Sequence, residues 1–477
     1  MYRQLYVALR DAIIAGGFAP GARLPSTRAL ADDLGVSRTT VLQAFDLLVG
    51  EGYAVVRSTG GTHVVRNLPR APRQKPPTAP APVPECRLSR AAQAILEELG
   101  PPPDPFRPVP FTTGLAAIEE FPVQLWSRTV ARQWQRHASA MLGFTSPYGY
   151  MPLREAIAQY VMTARGVRCT PDQVVIVNGA QHGVEMMARL LLDPGDQVWV
   201  EDPGYVPMRA LLRSVGAVLV PVQVDDHGMN VHDAVRRAPN ARMALLTPSY
   251  NAPLGVALSL DRRLALLDWA ARSDAWVVED DWNGEFRYDA EAIPAVQSLD
   301  DAGRVIYVGS FSKILAPGLR VGYLVVPPGL VEPIRQTRRA SDMHTAVPVQ
   351  AVLADFLSSG SFARHIRRMR DLYRQRQETL VELAPRVTCG LLEVAPAAAG
   401  MQVVGYLPAG VDADAVSRAA SARGVVVAPF TTGTAAVTHG RPALLLGYAA
   451  FDRETTRAAL DALGDAIRDV MGEGERR

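Results

Sequence analysis

The first 65 residues alternate short helical patterns with glycine and proline breaks. Apolar residues recur at helical spacing over residues 2–15, and Pro20-Gly21 follow the end of that pattern. Two short helices are predicted next, one capped by Ser26 and one by Ser37, with Gly35 ending the first. Strand patterns over residues 54–57 and 62–65 predict a hairpin. The order predicts a helix-turn-helix followed by a β-hairpin wing.

Residues 67–108 have a different composition, with prolines throughout and one short helical pattern from Leu88 to Leu99. A stretch of this kind is typical of a linker that is stiff where the prolines cluster. We therefore place a domain over residues 1–66, a proline-rich linker over 67–108 and a second domain over 109–477.

From residue 111 the chain alternates apolar strand patterns with helical patterns for about 220 residues. This alternation is typical of α/β architecture with a largely parallel sheet. A smaller α+β subdomain is predicted over roughly residues 335–477, with short strands that include residues 424–428 and 443–446. The strand patterns that define the larger part cover residues 174–177, 197–201, 218–222, 243–247, 276–280, 305–308 and 323–326.

Composition excludes several classes of protein. The chain has 477 residues, of which 48% are hydrophobic and 21% charged, values typical of globular proteins. No apolar run approaches the roughly 18 residues that a membrane span needs, and the N-terminus lacks a signal pattern, so we expect a cytoplasmic protein. The three cysteines are far apart, and their spacing predicts neither a disulfide framework nor a metal site.

Lysine use singles out one loop. The chain has 48 arginines but two lysines, Lys75 and Lys313, and Lys313 lies between two buried-strand patterns. Arginine supplies a positive charge but cannot form an imine, so a retained lysine indicates a nucleophilic amine. Ser310, Ser312 and Arg320 surround it with donors suited to a phosphate. These residues predict a site for a phosphorylated aldehyde.

Two more segments follow predicted strands, at the edge where α/β sheets bind ligands. The turn from Asn178 to Gln181 opens a helix, and a glycine turn at a helix N-terminus is a phosphate cradle. Asp280 and Asp281 follow another predicted strand, and Asp280 is a candidate site residue. We expect both segments to meet the Lys313 loop.

The segment Ser310-Phe-Ser-Lys-Ile-Leu-Ala-Pro-Gly-Leu-Arg-Val-Gly-Tyr323 resembles the cofactor-lysine region of fold-type I aminotransferases, which use pyridoxal 5'-phosphate (PLP). The resemblance implies a PLP Schiff base on Lys313 and a bond from Asp280 to the ring nitrogen. It implies stacking by Tyr205 and a polar contact from the loop that holds Asn251. The remaining implied cofactor-binding residues are Gly179, Ala180, Gln181, Ser310, Ser312 and Arg320.

The first 65 residues resemble the winged helix-turn-helix of GntR-type bacterial regulators, through Pro-Gly-x-x-Leu-Pro-Ser-x-Arg and Leu-Gly-Val-Ser-Arg-x-Thr-Val. The resemblance implies that Ser37 to Thr40 open the recognition helix. An arginine there can reach guanine in the major groove. The implied DNA-binding residues are Arg28, Ser37, Arg38, Thr39, Thr40 and Gly60.

Both halves together are similar to the MocR-type branch of GntR regulators over essentially the whole chain. The resemblance implies a PLP-binding transcriptional regulator that senses a small amine or amino acid by imine exchange at Lys313. Its implied partners are operator DNA, the effector and a second copy in a head-to-tail homodimer, with no membrane. Two alternatives stay open: a working aminotransferase with an accessory DNA-binding head, and a DNA-binding protein whose second domain serves dimerisation.

Three positions depart from the family pattern. Trp282 stands where a tyrosine usually bonds the cofactor's 3-oxygen, and Phe144 stands where a tyrosine commonly reaches the phosphate of a neighbouring subunit. Leu445 replaces the arginine that grips a substrate carboxylate, and Arg441 is nearby but out of register. We therefore expect at most weak transamination. We also expect an effector without an α-carboxylate, such as an ω-amino acid, a sulfonated amine or a diamine.

Overall fold

The computed structural model describes residues 1–57, 60–67, 86–99, 108–288, 293–430 and 441–474. The described chain divides into two compact units, Met1–Arg87 and Leu88–Arg477. Lys75 and most of the predicted linker lie outside the described residues.

The smaller unit contains three helices and a hairpin. They are α1 (Tyr2–Ile14), α2 (Thr27–Leu34), α3 (Arg38–Gly50), β1 (Ala54–Arg57) and β2 (Gly61–Val64). The Ser26 and Ser37 side chains cap α2 and α3 as predicted, and Gly35 ends α2 in the left-handed conformation. A core that includes Val41 and Leu48, both without exposed surface, packs the helices together.

The larger unit is built on an eight-stranded sheet with the order β3-β10-β9-β8-β7-β4-β5-β6. Five of these strands, β4, β5, β7, β8 and β9, run parallel to one another, whereas β10 is antiparallel to both β3 and β9, and β6 is antiparallel to β5. The predicted largely parallel sheet is confirmed. The strands are β3 (Val174–Val177), β4 (Gln197–Asp202), β5 (Val218–Asp225), β6 (Gly228–Met229), β7 (Met243–Leu246), β8 (Trp276–Asp281), β9 (Val305–Ser310) and β10 (Gly322–Val325).

Helices cover this sheet and bury its apolar side chains. The central strand β7 and the edge strand β3 have no exposed residues because both faces of the sheet are packed. The helices of the larger unit are α4 (Arg90–Leu99), α5 (Val123–Leu142), α6 (Met151–Arg165), α7 (Ala180–Leu191), α8 (Val206–Ser214), α9 (Val231–Arg237), α10 (Leu260–Arg272), α11 (Phe311–Ile314), α12 (Pro328–Ala340), α13 (Val347–Ser358), α14 (Ser361–Val387), α15 (Ala413–Ser421) and α16 (Arg453–Gly474).

A second, antiparallel sheet has the order β11-β12-β14-β13 and packs with α14, α15 and α16. Its strands are β11 (Glu393–Val394), β12 (Gln402–Tyr406), β13 (Ala428–Pro429) and β14 (Ala443–Gly447). The strand predicted over residues 424–428 is reduced to β13. Val426 donates its main-chain N–H to Pro110 rather than to a neighbouring strand, so regular pairing starts late.

The predicted helix within the linker is α4, and it packs against α8. Glu98 lies 3.0 Å from Arg209 and 3.1 Å from Arg213, both on the outer side of α8. The contacts therefore assign α4 to the larger unit, whereas the sequence placed it in the linker. Within the described ranges, no helix is long and apolar enough to cross a membrane.

Candidate functional site

A cavity of about 470 Å³ opens at the carboxyl edge of the large sheet, where β3, β8 and β9 end. Its size is in the usual range for small-molecule sites. The second sheet supplies one wall. The cavity is lined by Thr113, Gly114, Ala180, Gln181, Pro203, Gly204, Tyr205, Val206, Pro207, Met208, Thr247, Ala252, Pro253, Asp280, Trp282, Ser310, Ser312, Lys313, Arg320, Gln402, Ala428, Pro429, Phe430 and Leu445.

Lys313 lies on the one-turn helix α11 and extends into the cavity, where its Nζ donates to the Gly114 carbonyl at 2.9 Å. Gly114 has a φ of +68°, and a Cβ there would lie 2.9 Å from Nζ. A larger residue would therefore displace the amine. Burial lowers the pKa of Lys313, as does nearby Arg320, while Asp280 opposes the shift. The amine is thus biased toward its neutral, nucleophilic form.

Asp280 occupies the end of β8 and is 6% exposed. Its Oδ1 has no hydrogen-bond partner among the described residues. Burial raises the pKa of Asp280 to about 7, with further contributions from the Asp281 and Glu201 charges, and Lys313 acts in the opposite direction. A buried carboxylate without a partner on a cavity wall is suited to a cationic or proton-bearing ligand atom.

Arg165 supports the next residue, Asp281, from behind the cavity wall. Its Nε lies 2.6 Å from Asp281 Oδ2, and its Nη2 donates to Ser249 Oγ at 2.6 Å. The Tyr307 hydroxyl donates to the same carboxylate oxygen at 2.6 Å. Asp281 is therefore compensated and Asp280 is not. Sequence reasoning missed Arg165, since nothing local marks one arginine among 48.

The anion-binding end of the cavity lies where α7 begins. Gly179 precedes the helix with a φ of +89°, and a Cβ at this position would lie 3.1 Å from the Arg320 guanidinium. Arg320 donates to the Asn178 carbonyl at 3.2 Å. Ser310 Oγ accepts the main-chain N–H of Ser312, and the buried Ser312 Oγ has no partner in the described structure. These donors suit a phosphate.

Of the other residues predicted to bind the cofactor, three line the cavity and Asn251 does not. Tyr205 precedes α8 and lines the cavity, as do Ala180 and Gln181. Asn251 does not line it, because its amide lies 3.5 Å from the Pro203 carbonyl and its Oδ1 accepts from Leu254.

The positions that depart from the family pattern lie in different parts of the structure. Trp282 and Leu445 line the cavity, and Trp282 Nε1 donates to the Tyr250 carbonyl at 3.1 Å. Phe144 is 87% exposed, and Arg441 pairs with Glu393 at 2.7 Å.

Sequence reasoning also missed Gly114, Thr113 and Gln402 as cavity residues. Gly114 lies 199 positions before Lys313, so no short motif joins them. A glycine after two threonines, Thr112 and Thr113, was the available signal. The residues present fit PLP: an amine, an unpartnered buried acid and a phosphate cradle occupy one cavity.

The predicted DNA-binding residues cluster around the start of α3. Ser37 caps the helix by accepting from Thr40 N at 3.2 Å, and Arg38 donates to Thr27 Oγ1 at 3.4 Å. Arg28 and Arg38 are exposed. Gly60 lies in the turn of the hairpin, where its carbonyl is 3.0 Å from His63 Nε2. All of these residues lie on the smaller unit, four of them at the start of α3, Arg28 on α2 and Gly60 in the hairpin turn.

Comparison with known proteins agrees with both units. Residues 1–64 match the model of the gntR family of bacterial regulatory proteins, and residues 119–463 match that of class I and II aminotransferases. The probable rhizopine catabolism regulatory protein MocR of Rhizobium meliloti is 38% identical, covering 99% of this chain and 95% of its own. The regulator TauR of Rhodobacter capsulatus is 35% identical, covering 80% and 79%.

Among solved structures, the chain is similar to Pyrococcus horikoshii kynurenine aminotransferase in complex with PMP. The TM-score is 0.68 at 26% identity, covering 81% of this chain and 95% of that one. The α-aminoadipate aminotransferase LysN of Thermus thermophilus, complexed with N-(5'-phosphopyridoxyl)-L-leucine, gives 0.68 at 27%, covering 81% and 96%.

A GntR-type DNA-binding unit followed by an aminotransferase-like unit defines a class of bacterial transcriptional regulators. The chain belongs to the MocR-type branch of the GntR family. The aminotransferase-like fold predicted from the sequence is confirmed.

Replacing Arg38 by alanine should weaken binding to the specific operator by roughly 1–3 kcal/mol and relax base preference, because an exposed arginine opens the capped helix. Arg66→Ala is the matched comparison, since Arg66 is exposed but follows the hairpin. It should weaken binding to all sequences about equally and reduce the salt dependence. Fluorescence anisotropy on operator and random DNA measures both, and equal effects on the two DNAs would place the recognition helix elsewhere.

Asp280→Asn should alter the pH dependence of stability in protein freed of bound small molecules. Because the pKa of Asp280 is raised to about 7, its contribution to stability is present at low pH and is lost as pH rises through 7. The asparagine variant should therefore gain on the order of 2 kcal/mol over the native chain between pH 5.5 and 8.5. Urea unfolding at both pH values measures this gain.

The control for this measurement is Asp301→Asn, whose carboxylate is 89% exposed and pairs with an exposed arginine. It should leave the pH dependence of the unfolding free energy unchanged. An identical pH dependence in the native chain and Asp280→Asn would contradict the assignment.

Proposed function

We propose that the larger unit binds PLP at Lys313 and responds to a small amine or amino acid by releasing that lysine. The observation that carries the proposal is one cavity holding a buried amine, a buried unpartnered carboxylate and a phosphate cradle. PLP supplies an aldehyde that condenses with a primary amine with loss of water, and a ring that withdraws electrons when its nitrogen is protonated.

The chain's own residues have separate tasks in this proposal. Lys313 supplies the condensing amine, and burial lowers its pKa, which favours the neutral, nucleophilic form. Asp280 holds the proton on the ring nitrogen, for which its free Oδ1 is available. Tyr205 covers the ring. The phosphate is held by Ser310, Ser312, Arg320 and the main-chain N–H groups at the start of α7.

Exchange of amines at this site is balanced without any further reactant. One effector amine is bound for each Lys313 amine released, so no oxidant, reductant or additional water is consumed. The released amine has an acceptor ready, since Lys313 Nζ donates to the Gly114 carbonyl in the described state. We propose that this change is passed to the DNA-binding unit as a change in operator affinity.

Complete transamination demands more than exchange, because the substrate's Cα–H bond must be held perpendicular to the ring. Leu445 lines the cavity where the family pattern has a carboxylate-binding arginine, and its apolar side chain cannot bind a substrate carboxylate. We therefore propose at most weak transaminase activity. The alternative, a working aminotransferase with a DNA-binding head, would use Lys313 and Asp280 as well, but it would also need a carboxylate-binding group at the position of Leu445.

We also propose that the protein acts as a head-to-tail homodimer. Large apolar side chains remain exposed on the larger unit, among them Leu142 at 75% and Phe144 at 87%. Exposed apolar groups of this size in neighbouring positions favour burial against a partner.

Borohydride reduction in the presence of PLP should fix a label on Lys313, and peptide mapping should find it there. Lys313→Arg keeps the positive charge but cannot condense with an aldehyde, so it should lose the label. Lys75→Ala is the matched control and should keep it. A label on Lys75, or none, would remove the basis for the cofactor assignment.

The same proteins test the regulatory role. Amines that shift the visible spectrum of the PLP-loaded native chain should also change its operator affinity, and Lys313→Arg should not respond. Steady keto-product formation near or above 1 per second without any effect on DNA binding would support the enzyme alternative.

Sedimentation velocity at micromolar concentration should show a dimer. Phe144→Glu places a charge on the exposed apolar group and should weaken association, whereas Met162→Glu, at another exposed apolar position, should not. A monomeric native chain would contradict the dimer proposal.

A further inference from the structure

The second sheet contributes a cavity wall that carries no formal charge. We call this surface the small-sheet wall. It is formed by Gln402 on β12, Ala428 and Pro429 on β13, Phe430 directly after β13, and Leu445 on β14. The phosphate-binding donors come instead from the large sheet and α7. A ligand attached at Lys313 therefore has an uncharged surface on this side.

Among the described lining residues, Lys313 and Arg320 are the two cations. In the proposed function both are already used, Lys313 as the condensing amine and Arg320 beside the turn that cradles phosphate. Arg441, the other candidate for an anion contact, is held elsewhere. It pairs with Glu393 at 2.7 Å and lies over the Tyr406 ring at 4.7 Å.

Among the described residues, an anionic group on the effector would thus enter a largely apolar cavity without a free cationic side chain to pair with. Burying an unpaired carboxylate is far more costly than losing a neutral hydrogen bond.

The polar groups near this wall are neutral. Trp282 Nε1 donates to the Tyr250 carbonyl, and one N–H of Gln402 Nε2 donates to the Pro253 carbonyl at 3.1 Å. Gln402 keeps its Oε1 acceptor and its second N–H, so it can bind a hydroxyl in either direction but carries no charge to offset an anion. The buried Asp280 carboxylate disfavours an anion nearby when it is ionised.

We infer that the effector is a primary amine without any anionic group, whose other polar groups are neutral hydrogen-bond donors such as hydroxyls. This inference rests on the proposed function, because it concerns what replaces Lys313 in that cavity. It narrows the expectation from sequence, which had left ω-amino acids and sulfonated amines open. Leu445 and Gln402 are the residues that set the preference.

A matched series of amines tests this with the full-length, PLP-loaded chain. The pairs are 2-aminoethanol with glycine, and 3-aminopropan-1-ol with both 3-aminopropanoate and 3-aminopropanesulfonate. Each pair has the same amine spacing and differs in the end group. The visible spectrum and operator binding are recorded during titration. Each alcohol should act at concentrations at least about tenfold lower than its anionic counterpart.

Two variants locate the cause. Leu445→Arg places a cation on the small-sheet wall and should improve the response to the carboxylates at least about tenfold relative to the alcohols. Arg441→Ala should leave the preference unchanged, because Arg441 is engaged by Glu393 and Tyr406. If Leu445→Arg does not fold, the native chain with the amine pairs still decides the question.

The outcomes separate this inference from the proposed function. Stronger responses of the native chain to the carboxylates, or equal responses within each pair, would overturn the inference while leaving amine exchange intact. A loss of carboxylate response in Arg441→Ala would also overturn it. If no amine alters the spectrum of a chain that carries PLP on Lys313, the proposed function itself fails.

Discussion

Strand β8 ends in three consecutive buried acids, Glu279, Asp280 and Asp281, and the cost of burying their charge determines much of what surrounds the cavity. Glu279 accepts the main-chain N–H groups of Val296 and Gln297 at 2.8 and 3.0 Å. Asp281 is neutralised by Arg165. The middle acid points to the opposite side of the strand, as strand geometry requires, and is left uncompensated in the cavity. Each outer acid thus has strong partners on at least one oxygen, whereas Asp280 has no comparable partner among the described residues.

Most of the fold could be predicted from local sequence patterns. The helix caps at Ser26 and Ser37, the strands of the large sheet and the Lys313 loop all follow from short stretches whose period or turn chemistry is determined by near neighbours. The partners of those residues were not predictable in this way. Gly114 meets Lys313 across 199 positions, and Arg165 meets Asp281 across 116. Such contacts depend on chain topology, which a single sequence does not specify.

The two sides of the cavity also differ in how well the sequence predicted them. The phosphate-binding turn and Asp280 lie directly at strand ends, where parallel strands bring them together, so the expected convergence is found. The opposite wall comes from a second sheet with short strands. Gln402 was not recognised there, and the start of β13 was misplaced because Val426 bonds Pro110 instead of a strand. The weak strand patterns therefore gave little information about the wall that we propose to discriminate between effectors.

Helix α4 shortens the stretch of chain that separates the two units in sequence. Because Glu98 of α4 is bound to α8, the chain between the smaller unit and α4 is about 22 residues long, from residue 68 to 89. Fully extended, it would reach at most about 75 Å, roughly half the reach of the whole 67–108 stretch. In the homodimer that we propose, this length sets an upper limit on how far each DNA-binding unit can lie from its larger unit, and thereby on the spacing of the two operator half-sites that one dimer can bind.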